Sequence, residues 1–144
     1  TIGAIKYVFA RYKLGGDIAF DLEETVSLQG NSGPYLQYAH ARARRILEKL
    51  GATGVPTTVR PEDRALVRKL GEYREAIELA TQELAPHHIC NYLFELAQEF
   101  NRYYEKNRVV GSDHEQHRAA LVAAYADTLR AGLMILGIVA PHKM

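Results

Sequence analysis

The chain has 144 residues, 47% of them hydrophobic and 24% charged, which is typical of one folded domain and excludes intrinsic disorder. Its 18 basic and 17 acidic residues give a net charge of +1, which excludes a bulk polyanion-binding tail. No apolar run approaches the roughly 20 residues of a membrane span, so we expect no membrane partner.

The predicted elements are helical almost throughout. Ile2 to Lys13 has helical periodicity, and a mixed stretch then leads to Gly30-Asn31-Ser32-Gly33. A helix begins at Pro34, where apolar side chains start to recur at spacings of three and four, and Gly51 stands where a left-handed stop is expected. Its apolar face consists of Leu36, Ala39, Ala43, Ile46 and Leu50.

Three further helices follow a surface loop that we predict for Gly51 to Arg60. The first runs from Pro61 to Pro86, which also begins the next, and Ser112-x-x-Glu115 is typical of a capping box before the last. Their apolar stripes are Leu66, Leu70, Tyr73, Ile77, Ala80 and Leu84; then Ile89, Leu93, Leu96, Phe100 and Tyr103; then Val122, Tyr125, Leu129, Leu133 and Leu136, closed by Gly137. Amphipathic helices on short loops bury their stripes against one another, so the sequence predicts an all-α helical bundle.

Catalytic and metal-binding patterns are weak. No histidine has a glutamate three positions before it, as a di-metal bundle site requires, and zinc needs three or four converging ligands. Cys90 falls beside an apolar stripe, where a cysteine is more often a small buried residue than a nucleophile. We therefore expect neither a catalytic residue nor a metal or cofactor site in this chain.

One cluster points to nucleic acid. Residues 35 to 50 carry a charge of +3, although the whole chain is nearly neutral. Tyr35, Tyr38 and Arg42 share one helix face directly after the glycine-containing loop. Rings beside guanidinium groups can hold unstacked RNA bases. The same tyrosines could instead be half-buried packing residues, and their spacing alone does not decide between the two interpretations.

Longer motifs, in a fixed order, resemble one protein family. Gly30-x-x-Gly33-Pro34-Tyr35-x-Gln37-Tyr38-Ala39-His40-Ala41-Arg42 is similar to the start of the C-terminal domain of arginyl-tRNA synthetases, which are class I enzymes. Asp127-Thr128-Leu129-Arg130 stands at the family's D-A-L-R signature, with threonine in place of alanine. The similarity also covers Pro86-His87, Tyr92-Leu93-x-x-Leu96-Ala97-x-x-Phe100-Asn101-x-x-Tyr104, Arg118-x-x-Leu121-Val122, Gly132-Leu133-x-x-Leu136-Gly137-Ile138 and the terminal Pro141-His142-Lys143-Met144.

The resemblance implies a D-A-L-R-type anticodon-binding bundle over residues 29–144 that reads arginine tRNA. Residues 1–28 would be the last helical part of the catalytic domain. Some relatives carry tryptophan where Arg108 stands, which leaves an aromatic contact there open. The residues implied at the tRNA are Gly30, Asn31, Ser32, Gly33, Tyr35, Tyr38, Arg42, Arg45, Tyr104, Arg108 and Met144.

The family's H-I-G-H and K-M-S-K-S signatures are absent from the chain. The resemblance therefore implies that ATP, with Mg, and arginine bind elsewhere in the full-length ligase, and that this chain alone is inactive. It implies tRNA(Arg) and the ligase's own catalytic domain as partners, and a monomer. The start at Thr1 indicates an excised or processed piece, and the single cysteine and missing secretory signal favour the cytoplasm.

Two other classes of function remain open. One is a helical interaction module whose basic helix docks on an acidic protein, and the other is a metal-dependent enzyme. A tRNA reader needs Tyr35, Tyr38, Tyr104 and Met144 on one exposed surface, whereas a plain scaffold would bury them apart.

Overall fold

The computed structural model describes residues 2–13, 15–18, 20–51 and 58–144. Those ranges contain no β-strand, so the predicted all-α class is confirmed. None of the described helices is long and apolar enough to cross a membrane. Most of the loop predicted for 51–60 lies outside the described residues. The helices are α1 (Ile2–Arg11), α2 (Leu22–Val26), α3 (Gly33–Leu50), α4 (Arg64–Gly71), α5 (Tyr73–Gln82), α6 (His87–Lys106) and α7 (Glu115–Ile135), with a 3-10 turn at Pro61–Asp63.

The core lies around α6, which contacts α1, α3, α4, α5 and α7. The stripes predicted for α3, α6 and α7 are buried there, apart from the partly buried Leu50 and Leu136. The rings of Phe100 and Tyr125 stack with their centroids 3.8 Å apart, which joins α6 to α7 at the centre. A Cβ at Gly132 would lie 2.5 Å from a methyl group of Leu93, so glycine permits this close approach of the two helices.

The prediction of a single helix over 61–86 is wrong. This segment begins with the 3-10 turn, its helix is interrupted at Glu72, and the second part, α5, ends at Gln82. Leu84, predicted in the apolar stripe, is 77% exposed and has a φ of 52°. It occupies the left-handed position of a Schellman turn, in which the Ala85 N–H donates to the Ala80 carbonyl at 2.9 Å. The helix stop therefore uses a leucine where glycine is usual, and its side chain leaves the core.

The predicted stops at Gly51 and Gly137 are confirmed, since both residues have positive φ directly after α3 and α7. The predicted capping box is wrong. The Ser112 hydroxyl donates to the Val109 carbonyl, and the Glu115 carboxylate accepts from the Gly111 N–H. His114 therefore precedes α7 without a side-chain cap, and the Glu115 carboxylate stabilises the preceding turn instead.

Helix α1, predicted over 2–13, packs against α3 and α6. A Cβ on Gly33 would lie 2.7 Å from the Gly3 carbonyl oxygen and 2.9 Å from the Tyr7 Cβ. Only glycine permits this contact at the first turn of α3. The approach places the end of α1 beside the loop before α3, where part of the predicted site lies.

Candidate nucleic-acid interface

The loop Gly30–Gly33 is held by the end of α1. The Tyr7 hydroxyl donates to Asn31 Oδ1 at 2.6 Å, and the Arg11 guanidinium donates to the Asn31 carbonyl, also at 2.6 Å. Ser32 is buried, and its hydroxyl caps α3 by accepting from the Tyr35 N–H at 3.1 Å. Ser32 and Gly33 are thus buried residues that fix the conformation of the loop, whereas Gly30 and Asn31 are accessible to solvent.

Four of the predicted site residues lie along one side of α3. Tyr35, Tyr38, Arg42 and Arg45 recur at spacings of three, four and three, which places them on one helix face. Tyr38 is 44% exposed, Arg42 and Arg45 are exposed, and Tyr35 is half-buried. Lys49 extends the series by four residues and is also exposed. We refer to these five residues as the α3 stripe.

Tyr35 connects the α3 stripe to α6. Asn101 Nδ2 donates to the Tyr35 hydroxyl at 2.9 Å, and the Phe94 ring meets the Tyr35 ring edge-on with centroids 5.9 Å apart. Burial raises the pKa of the Tyr35 hydroxyl, so it stays protonated at neutral pH. One part of the ring therefore packs on α6, and the rest borders the surface.

Arg42 and Tyr104 form a second connection to α6. The Arg42 guanidinium lies 5.0 Å from the centroid of the Tyr104 ring, within the range of a cation–π contact. The Phe100 ring lies 6.0 Å from the Tyr104 ring on its own helix. Because Arg42 is exposed, its outer face presents a flat, cationic platform supported by Tyr104.

Arg108 lies just beyond α6 at an open pocket of about 370 Å³. Its Nε donates to the Val110 carbonyl at 2.9 Å, which orients the guanidinium over the turn. The pocket thus combines an aromatic wall, a carboxylate, a guanidinium and two apolar side chains. Its lining residues are Tyr104, Glu105, Arg108, Val109 and Val110.

The charge of residues 35–50 divides between two sides of α3. Arg42, Arg45 and Lys49 belong to the α3 stripe, whereas Arg44 lies on the other side, with its guanidinium 3.9 Å from the Asp127 carboxylate. Three cations rather than four therefore lie on the aromatic side. The Asp127 of the D-T-L-R sequence thus forms an exposed ion pair between α7 and α3, a contact of small energetic weight.

Met144 is 56% exposed, and the segment before it is hydrogen-bonded to α3 through Gln37 and His40. Sequence reasoning assigned no role to those two side chains, nor to Asn101, which holds Tyr35. The signal available for Asn101 was its position seven residues after Phe94, on the same face of α6.

Other chemistry finds no support in the described part of the chain. No three His, Cys, Asp or Glu side chains converge there as they would around a metal ion. Cys90 is buried, and burial raises the pKa of its thiol to about 12, so it carries little thiolate at neutral pH. His114 and His117, three residues apart in sequence, could share a helix face as metal ligands, but His117 Nε2 instead donates to the buried Asp63 carboxylate at 2.6 Å.

Comparison with known proteins places this geometry in context. A family model described as the DALR anticodon binding domain matches residues 36–144. The chain is 41% identical to an arginine–tRNA ligase of Frankia casuarinae and 39% identical to one of Thermobifida fusca, each over 99% of this chain. These alignments cover 25% and 26% of the two relatives, so the chain spans about a quarter of their length.

Solved structures show the same similarity in three dimensions. An arginyl-tRNA synthetase of Thermus thermophilus superposes with a TM-score of 0.92 and 36% identity, covering 99% of this chain and 26% of the other. A putative arginyl-tRNA synthetase of Campylobacter jejuni superposes with a TM-score of 0.85 and 26% identity, covering 99% and 33%.

Proposed function

Since the chain belongs to the DALR anticodon binding domain family, we propose that it recognises the anticodon of arginine tRNA as the C-terminal part of an arginine–tRNA ligase. The observation that carries this proposal is the α3 stripe, with exposed aromatic and basic side chains on one flank of the bundle. Tyrosine and arginine are also common at protein interfaces, so the family match, and not the composition of the stripe, favours RNA over an acidic protein as the partner.

The stripe offers RNA two kinds of contact. Tyr38 and the outer face of Arg42 are surfaces on which unstacked anticodon bases stack, since arginine planes and aromatic rings both serve this purpose. Arg45 and Lys49 extend the stripe by two turns and contact phosphates, which adds affinity without sequence information. Base contacts then lie at the start of α3 and backbone contacts lie further along it.

The pocket beside Arg108 takes one further base. Its Tyr104 ring is a stacking wall, and the Glu105 carboxylate is an acceptor for an exocyclic amino group such as that of cytosine. Arg108 stands where some relatives carry tryptophan, and its planar guanidinium supplies a stacking surface in place of the indole.

The rest of the ligase supplies the chemistry. It activates arginine with ATP, accompanied by Mg, and transfers it to the tRNA, and no residue of this chain is assigned to those steps. We place the enzyme in the cytoplasm as a monomer. The chain then contributes tRNA affinity and selection, the part of the reaction that depends on the anticodon.

In this proposal residues 1–28 are the last helical part of the catalytic domain and pack against the rest of it. Ile2, Ile5 and Phe9 recur on one face of α1 and are exposed, and they are joined by exposed apolar side chains in and around α2. Several large exposed apolar side chains on two helices in contact are typical of an interface. The relatives are about four times as long as this chain, so their remaining three quarters supply a covering partner. The other exposed side chains are Ile18, Phe20, Leu22, Val26 and Leu28.

The proposal is tested by two variants of the stripe measured in tRNA binding. Tyr38→Ala removes an exposed stacking ring, which should weaken binding of arginine tRNA by about 1–3 kcal/mol and spare an anticodon-swapped tRNA. Arg45→Ala should weaken both tRNAs equally, since it removes a phosphate contact. Arg74→Ala is the control: it removes the same charge from exposed α5, far from the stripe in sequence, and should change neither.

Thermal melting accompanies each titration. Tyr38 is exposed, so Tyr38→Ala should leave the melting temperature nearly unchanged. If Tyr38→Ala and Arg45→Ala bind arginine tRNA as tightly as the unmodified chain, the α3 stripe is not the RNA-binding surface, and the interaction-module interpretation gains instead.

A further inference from the structure

Residues 137–144, here the tail, are held along their backbone by side chains of α1 and α3. Every second carbonyl of the tail accepts one hydrogen bond. This is the spacing of an extended chain, in which successive residues face opposite sides. The bonds run from Lys6 Nζ to the Gly137 carbonyl at 2.7 Å, from Gln37 Nε2 to that of Val139 at 2.6 Å and from His40 Nδ1 to that of Pro141 at 2.9 Å. One edge of the tail is therefore fixed over five residues.

Two features of the tail itself favour the extended form. Ile138 is buried and Val139 is 75% exposed, the alternation that an extended segment on a protein surface shows. Pro141 restricts Ala140 to extended backbone conformations. Formation of the three hydrogen bonds therefore costs the tail little conformational entropy.

His40 is fully buried, and its polar atoms serve the tail. A carbonyl only accepts, so Nδ1 carries the proton that goes to Pro141, and Nε2 is buried without a partner among the described residues. Burial lowers the pKa of His40, and although the hydrogen bond to the Pro141 carbonyl raises it, the nearby Arg44, His142 and Arg130 act with burial, so the pKa is lowered overall and the neutral ring is favoured. An apolar side chain would avoid the cost of the unpartnered nitrogen. The donor to Pro141 is what histidine adds at this position.

His40 lies on the flank of α3 away from the α3 stripe, about 200° from Arg42 at 3.6 residues per turn, and Gln37 lies between that flank and the stripe, about 100° from Tyr38. Three residues follow Pro141, with a bend at His142, so they reach at most roughly 11 Å. A helix with its side chains is about 10–12 Å wide, so the tail is long enough to cross the outer side of α3. Ala41 lies on that outer side and is only 6% exposed, which fits a chain segment passing over a small side chain.

We propose that Gln37 and His40 are positioning residues that strap the tail across α3 and so present Met144 beside Tyr38 on the α3 stripe. The inference rests on the proposed function for its consequence in tRNA binding, but the strap itself is a property of the free chain. Release of the tail removes one side of the RNA-binding surface without touching the stripe.

The strap can be observed directly, because the chain has two methionines, Met134 and Met144. With 13C-methyl methionine, the Met144 methyl group should show a nuclear Overhauser contact with the Tyr38 ring and a broad line typical of an ordered residue. Gln37→Glu places a carboxylate opposite the Val139 carbonyl and should sharpen the Met144 line and abolish the contact. Gln37 is partly exposed, so this variant should fold.

His40 provides a matched pair. Asparagine keeps a donor close to the Nδ1 position, and leucine fills the space without one. His40→Asn should retain the contact between Met144 and Tyr38, and His40→Leu should lose it, whichever of the two melts at the higher temperature. Loss in both variants alike, or in neither, would overturn the role of the Nδ1 donor.

The consequence for RNA is tested by titrating arginine tRNA. Gln37→Glu should weaken binding about fivefold, because it releases the whole tail from the interface, and this is still less than the loss of a central anchor residue. In a chain shortened to end at Ile138, the same substitution should have no further effect, since the strap has nothing left to hold. A fivefold effect that persists in the shortened chain would overturn the inference.

The remaining outcomes separate the two proposals. If Met144 leaves Tyr38 in Gln37→Glu while the tRNA affinity is unchanged, the strap plays no part in binding and the inference fails alone. If the unmodified chain binds no tRNA, the proposed function fails, and the contact between Met144 and Tyr38 still decides whether the strap exists.

Discussion

The buried Asp63 carboxylate should contribute strongly to the stability of this bundle. It is 0% exposed and joins three segments. It accepts from His117 Nε2 on α7 at 2.6 Å, from the Tyr103 hydroxyl on α6 at 3.1 Å and from the Arg60 N–H at 2.9 Å. Substitution by alanine leaves all three donors without their acceptor.

The loss in the free energy of unfolding depends on whether each donor can find another acceptor, such as water. A buried donor left unsatisfied costs about 1–3 kcal/mol. The Tyr103 hydroxyl sits in a residue only 4% exposed and has no access to water, whereas His117 and Arg60 are partly exposed and can recover a water bond. One full penalty and two partial ones give about 3 kcal/mol for Asp63→Ala. For a chain of this size, that lowers the melting temperature by about 10 °C.

Urea unfolding followed by circular dichroism measures this loss. The matched control is Asp113→Ala, an exposed carboxylate on the loop before α7, which should change the free energy of unfolding by less than about 0.5 kcal/mol. A loss for Asp63→Ala that is no larger than the loss for Asp113→Ala would refute the reasoning, because the three donors would then need no common acceptor.

Acid provides an independent check on the same carboxylate. Burial raises the pKa of Asp63, but the hydrogen bonds from His117, Arg60 and Tyr103 outweigh burial and lower it overall. The unfolded chain therefore takes up this proton at a higher pH than the folded chain, near an ordinary aspartate value of about 3.9. The stabilisation is complete above that pH and is lost as the pH falls through the folded value. Asp63→Asn should show a correspondingly weaker acid dependence.

Three further predictions concern the helix stop, the charge and the activity. Leu84→Gly should raise the free energy of unfolding by about 1 kcal/mol, since glycine adopts positive φ without strain. Leu84→Ala keeps the Cβ and should change this free energy little. Equal effects of the two substitutions in urea unfolding would contradict this reasoning. For arginine tRNA, log K against log salt should have a slope of about −2, from three stripe cations at about 0.7 each, and a slope near zero would exclude backbone contacts. The chain alone should show no arginine-dependent ATP–pyrophosphate exchange, and exchange above a buffer blank would overturn the assignment of chemistry to the rest of the ligase.

The parts of the fold that local chemistry decides were predictable from the sequence. Helix α3 begins at Gly33-Pro34 and ends before Gly51 as expected, because proline and glycine act on the backbone of their own neighbourhood. The faces of α3, α6 and α7 follow from their apolar spacing alone. The α3 stripe was visible for the same reason, since three- and four-residue spacing fixes which side chains share a side.

The parts that depend on distant partners were not predictable. The break at Glu72 coincides with the Tyr92 hydroxyl, from α6, donating to the carbonyl of Lys69 in the last turn of α4. The sequence between 61 and 86 does not indicate that contact, although Gly71, directly before the break, is a local signal that weakens a helix. The half-burial of Tyr35 likewise depends on Asn101 and Phe94, which lie on another helix. Periodicity placed Tyr35 on the correct side but could not tell how deep it lies.

The most direct test of the central claim is binding of the unmodified chain to arginine tRNA and to the same tRNA with its anticodon exchanged. Only the anticodon differs between the two, so phosphate contacts contribute equally to both. If the chain reads the anticodon, arginine tRNA should bind at least about tenfold more tightly, equivalent to about 1.4 kcal/mol, the lower part of the range for one stacked base. Equal affinities for the two tRNAs would contradict anticodon recognition by this chain.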